Sequence, residues 1–226
     1  MGFFAEFKTD NRLDALNVTI GFFLGVILLG IFNIFPDQRD NATVFFIMLI
    51  VWGFTLLLTK SGKTGALNQD ILGIGKNGKA FLVATIIGAV IGYFLTVQAN
   101  VIINPIFMSV IPINALFGFL YVVIVAPVVE ANFFRGLLMP TLAHFLMMAK
   151  IGINETLAGV IAVVISAAMF AWFHSAVFGG NPTNLLAAFV FGIIAGLGVY
   201  GFKSIGFEYG LHGVNNLLAF LRFGLI

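Results

Sequence analysis

Pro127-Val128-Val129-Glu130-Ala131-Asn132-Phe133-Phe134-Arg135-Gly136 sets a carboxylate and a guanidinium inside a run that otherwise reads as membrane helix. Nearly apolar sequence leads into it from Ile113, and Leu137, Leu138 and Met139 follow it. A charged side chain near a bilayer centre costs at least ~2.5–3.5 kcal/mol on insertion scales. Glu130 and Arg135 must therefore face a bundle interior or a wet cavity, and polar partners are expected on other helices.

The surrounding composition sets the class. The chain has 226 residues, 61% hydrophobic and only 9% charged, with a mean hydropathy of +1.10. A soluble domain carries roughly a quarter charged residues. The expected fold is all-α, a single polytopic transmembrane bundle over residues 1–226. The absence of cysteine excludes disulfides, thiol catalysis and cysteine-ligated metals. A net charge of +2 with no basic stripe argues against a nucleic-acid partner. Glu6, Lys8, Asp10, Arg12 and Asp14 make the amino terminus too charged for a cleavable signal peptide, so the first span is expected to stay as an anchor.

A spanning helix needs about 20 mostly apolar residues. Such runs fall near 17–35, 42–59, 80–103, 113–139, 157–178, 183–202 and 205–223, about seven in all. The spans within 17–103 form an amino-terminal part, and about 113–223 forms a motif-bearing core. Asn154-Glu155-Thr156 reads as a helix start with acid in its first turn. Lys8, Arg12, Lys60, Lys63, Lys76, Lys79, Lys150 and Lys203 fall on one side of this arrangement, against Arg39 and Arg222 on the other. The positive-inside rule then puts the amino terminus in the cytoplasm. An integral multi-pass protein of this compact length suits a prokaryotic plasma membrane. Gly21/Gly25, Gly88/Gly92 and Gly192/Gly196 have the small-xxx-small spacing that lets helices approach closely within a bundle.

The other polar groups lie late in the chain. The fifth span ends Phe170-Ala171-Trp172-Phe173-His174, and the seventh holds His212-Gly213-Val214-Asn215-Asn216. Phe170 and His174 share one helix face, as do His212 and Asn216. Pro127 cannot donate to the Val123 carbonyl and should kink the fourth span one turn before Glu130. The carbonyls it frees need protein or water to satisfy them. Glu208 lies four residues before His212 and is in position to orient that imidazole, although a snorkelling surface acid beside Lys203 is the expected role.

Glu130 with Arg135, then Phe170-xxx-His174, then His212-xxx-Asn216, resemble the three motifs of the CAAX-processing and bacteriocin-processing (CPBP) intramembrane proteases, which include the Ras-converting-enzyme type. Phe133-Phe134-Arg135-Gly136 is similar to the family's wording. The resemblance runs from Pro127 to Asn216. It departs at Ala131, where the family usually has a second glutamate. Position 131 is four residues before Arg135 on one face, whereas Glu130 lies about 140° around from Arg135 on a 3.6-residue repeat. Arg135 must therefore find another partner, with Asn132, backbone carbonyls, lipid phosphate or water as candidates.

The resemblance implies hydrolysis of a membrane-associated peptide, with a prenylated CAAX-type substrate as one option. Glu130 would be general base, His174 would help hold the water, and His212 and Asn216 would donate to the oxyanion. Arg135, Phe170 and Pro127 would support them. No cofactor is required by this scheme. Zinc on Glu130, His174 and His212 is the other possibility, since three protein ligands plus water form a common catalytic site. Partners would be membrane lipid and a lipidated or otherwise membrane-associated peptide. A non-catalytic family member acting as an immunity or scaffold protein is the alternative reading, which Ala131 keeps open. A proton-coupled transporter, which intramembrane Glu and His also suggest, lacks the paired broken helices expected of two halves.

Overall fold

The computed structural model describes residues 78–99, 119–148, 152–175 and 178–222, and every regular element among them is helical. Helix α1 spans Gly78–Ala99. A composite span follows: a π-helical stretch Leu120–Val125, helix α2 Ala126–Ala131, a second π stretch Asn132–Leu138, and helix α3 Met139–Met148. Helices α4 Glu155–Phe173, α5 Pro182–Phe202 and α6 Gly206–Arg222 complete the core. Four stretches, Gly78–Val97, Val122–Met147, Glu155–Phe173 and Pro182–Phe202, are long and apolar enough to cross a membrane. The described residues form an all-helical membrane bundle. The expected spans at 17–35 and 42–59 and the Gly21/Gly25 pair lie outside the described residues.

The expected end of the fourth span at 139 is too early, because helix continues through Pro140 to Met148. The π stretch hands over to α-helix at Met139, so Pro140 sits in the first turn of a new α segment. A missing N–H is tolerated there. The start of α4 follows its sequence signal: the Asn154 side chain accepts from the Leu157 N–H at 2.8 Å, and Glu155 faces the positive end of the helix. At α5, the Asn181 side chain accepts from the Thr183 and Asn184 N–H groups, and Pro182 opens the helix. Lys203 closes α5 in the left-handed conformation (φ 51°), and Ser204 Oγ accepts from the Gly206 N–H to start α6.

Small residues decide how closely these helices pack. Gly88 and Gly92 of α1 lie directly against the backbone of α6 at Phe207 and Leu211, and Gly210 of α6 lies against the Thr85 carbonyl. Gly192 of α5 lies against the Ala167 backbone of α4, and Gly196 lies against the Val163 side chain. Both described glycine pairs thus pack within the bundle. A methyl at Gly88 would overlap the Phe207 carbonyl, a rigid group that cannot rotate away. Gly88→Ala is therefore expected to cost at least about 1–3 kcal/mol, the range for overpacking. Gly78→Ala, at a position with open space, should leave the unfolding midpoint of the purified protein unchanged. Equal midpoints for the two variants would refute the close α1–α6 contact.

Candidate active site

The span that carries Glu130 is wound unevenly, and this sets where its side chains point. Six α-helical residues containing Pro127 and Glu130 lie between two π stretches. In π winding the bonds run to the fifth residue, and such turns gather at functional positions. Pro127 can return a bond neither to Val122 in π register nor to Val123 in α register. The Asn216 side-chain amide of α6 supplies the missing donor, giving to the Val122 carbonyl at 2.8 Å. The carbonyl freed by the proline is thus satisfied by protein. π winding from Asn132 also draws residues five apart towards one side, so the 140° separation expected of Glu130 and Arg135 on a uniform α-helix does not describe this segment.

Three helices converge on one carboxylate oxygen. Glu130 Oε2 lies 3.6 Å from His174 Nε2 and 3.8 Å from His212 Nε2. Glu130 is 6% exposed, and His212 is equally buried. Both separations exceed a direct hydrogen bond, and they suit a shared water or reacting atom between the groups. His174 caps the end of α4, and its Nδ1 meets the Phe170 carbonyl at 2.8 Å. A carbonyl only accepts, so Nδ1 carries a proton there, and Nε2 is the ring nitrogen turned towards Glu130.

Phe170 is the wall between these groups. Its ring centroid is 4.3 Å from that of His174 and 5.8 Å from that of His212. The Arg135 guanidinium carbon lies 5.3 Å from the same ring centroid, within cation–π range. Phe191 of α5 packs edge-on against His212 at 5.3 Å. Its place in an otherwise uniform apolar helix gave no signal in the sequence. Among the described residues no group of three or more metal-ligating side chains is arranged to hold a metal ion.

Arg135 and Glu208 require a correction. Glu208 is not a snorkelling surface acid: it is 0% exposed, and its Oε2 lies 3.4 Å from Arg135 Nε, itself fully buried. Asn132 makes no hydrogen bond to Arg135; its amide donates to the Val128 carbonyl and to the Tyr209 hydroxyl, both at 2.7 Å. Arg135 Nη1 instead donates to Ser166 Oγ at 2.8 Å, and that hydroxyl donates to the Phe134 carbonyl at 2.9 Å. A guanidinium shut away from water needs a countercharge. Ala131 offers none, and the first turn of α6 brings one across. The one available clue was the four-residue spacing from Glu208 to His212.

Comparison with curated proteins and with solved structures gave no match. A family model described as type II CAAX prenyl endopeptidase, Rce1-like, matches residues 112–218. That match begins just before the first π stretch and ends just after Asn216, so it encloses Glu130, both imidazoles and the Arg135–Glu208 pair. The helices that converge on Glu130 are those the family model spans, and over residues 112–218 the chain is similar to the Rce1-like type II CAAX prenyl endopeptidases.

Proposed function

We propose that this protein hydrolyses a peptide bond of a membrane-associated substrate of the CAAX type, with Glu130 activating the water. The observation that carries the proposal is the approach of two imidazole nitrogens, from α4 and α6, to one buried oxygen of Glu130. Water between Glu130 and His174 gives its proton to the carboxylate as its oxygen attacks the substrate carbonyl carbon. His212 and Asn216 donate to the oxyanion that forms. Asn216 has one amide hydrogen on the Val122 carbonyl and a second left to give. Glu130 then returns its proton to the leaving nitrogen as the C–N bond breaks. His174, with Nδ1 tied to Phe170, presents the acceptor that orients the water.

The test uses the full chain in lipid vesicles with a farnesylated CAAX peptide and its unprenylated counterpart. Release of a carboxy-terminal fragment is expected, undiminished by a strong chelator. Cleavage that stops on chelation and returns with zinc would move Glu130, His174 and His212 from base and orienting groups to metal ligands. No cleavage of either peptide would overturn the enzymatic reading and leave a scaffold.

A further inference from the structure

The contacts between α6 and the Glu130 span form an antiparallel ladder. Arg135 meets Glu208, Asn132 meets Tyr209, Glu130 meets His212, and Val122 meets Asn216, so numbers fall on one side as they rise on the other. His212 is an inner rung. Its height and rotation are therefore set by the rungs beyond it. Glu208 is the rung at one end, one helical turn before His212 and on its face. It is also the one rung made by two full charges, both shut away from water. A slip or rotation of α6 would strand a buried cation and a buried anion, whereas a hydroxyl or amide rung can exchange partners at smaller cost. On another flank, Gly88, Gly92 and Gly210 fit α6 closely to α1. Against the Glu130 span α6 also makes an edge-on Phe119–Phe220 contact at 5.7 Å, at the end of the ladder far from Glu208, so at the Arg135 end the charged rung is the contact most sensitive to a slip.

We propose that Glu208 is a positioning residue: by pairing with Arg135 it sets the register of α6 that brings His212 to Glu130. This rests on the proposed peptidase function only for its kinetic readout. Glu208 touches Arg135 rather than the reacting groups, so its loss should lower turnover and leave substrate affinity alone.

Glu208→Gln and Glu208→Asp test this in the full chain. Glu208→Gln should lower kcat on the farnesylated peptide about a hundredfold, the scale for a misplacement of about 1 Å, with KM within about twofold. Glu208→Asp, which keeps the charge, should recover part of the loss. A second readout does not depend on cleavage. The chain has no cysteine, and a Cβ at Gly213 would lie 3.5 Å from the Val123 carbonyl. A Val123→Cys/Gly213→Cys pair therefore reports the register through the yield of a short bifunctional thiol reagent. That yield should drop with Glu208→Gln and partly return with Glu208→Asp. Wild-type yield and kcat in Glu208→Gln would overturn the proposal, as would a fall in kcat with no change in cross-linking. So would a Glu208→Asp variant no better than Glu208→Gln. If no form of the protein cleaves the peptide, a charge-dependent change in cross-linking still upholds the positioning role, and the proposed function alone fails.

Discussion

Glu130→Gln is expected to lower kcat for CAAX-peptide cleavage by about a thousandfold, within the 10²–10⁴ range for losing a positioned general base. The substitution keeps the shape of the side chain and removes its ability to take a proton. Glutamine would still sit between His174 and His212, which approach Glu130 at 3.6 and 3.8 Å, so the pocket should keep its form. Glu130 makes no ion pair with Arg135 within 4 Å among the described contacts; the guanidinium is served by Glu208 and Ser166. Stability should therefore hold, since a neutral amide costs less to bury than a carboxylate. Steady-state kinetics in vesicles, with an unfolding curve for each variant, check both halves of the expectation. A variant that cleaves within threefold of wild type would remove Glu130 from the chemistry, and a collapsed unfolding midpoint would make its role structural.

Arg135→Leu is expected to produce the largest loss of stability, about 3–5 kcal/mol, the scale for breaking a buried ion pair from one side. Leucine fills part of the space but leaves the Glu208 carboxylate buried without a cation, and it removes the bond to Ser166. The same reasoning gives the companion result. Arg135→Leu combined with Glu208→Leu should recover much of the loss, because no charge is then left stranded. Thermal unfolding in detergent, read by circular dichroism, measures all three proteins under one condition. If Arg135→Leu melts with the wild type, the pair contributes nothing to the fold. If the double variant is as unstable as the single, packing rather than charge is the cause.

These two expectations separate what one helix can do from what needs two. Glu130 lies beside groups whose presence was legible along the chain: one imidazole at the end of Phe170-xxx-His174 and one before Gly213, each in an apolar run. The spacing of four placed Phe170 beside His174, and Asn216 on the face of His212, because an α-helix repeats every 3.6 residues. The Arg135 partner was not legible in this way. Local spacing pointed to position 131, which is alanine, and gave no reason to prefer an acid 73 residues further on. The π winding around α2 was equally hidden. Pro127 signalled a disturbance of the helix, but not that Asn216 would cross over to satisfy the Val122 carbonyl.

The sequence by itself determined that this is an apolar helical bundle holding a few costly polar groups, since twenty-residue runs and intramembrane charges carry their meaning locally. It also determined which side chains share a face within one helix. The tertiary structure decided the partners: that one oxygen of Glu130 faces both imidazoles, that Glu208 balances Arg135, and that α6 runs antiparallel to the Glu130 span in this register. Partnership between helices depends on their rotation and separation. Those follow from where glycines such as Gly88 and Gly210 let backbones touch, and from the rule that a buried charge must meet its opposite, conditions that only the packed bundle can satisfy.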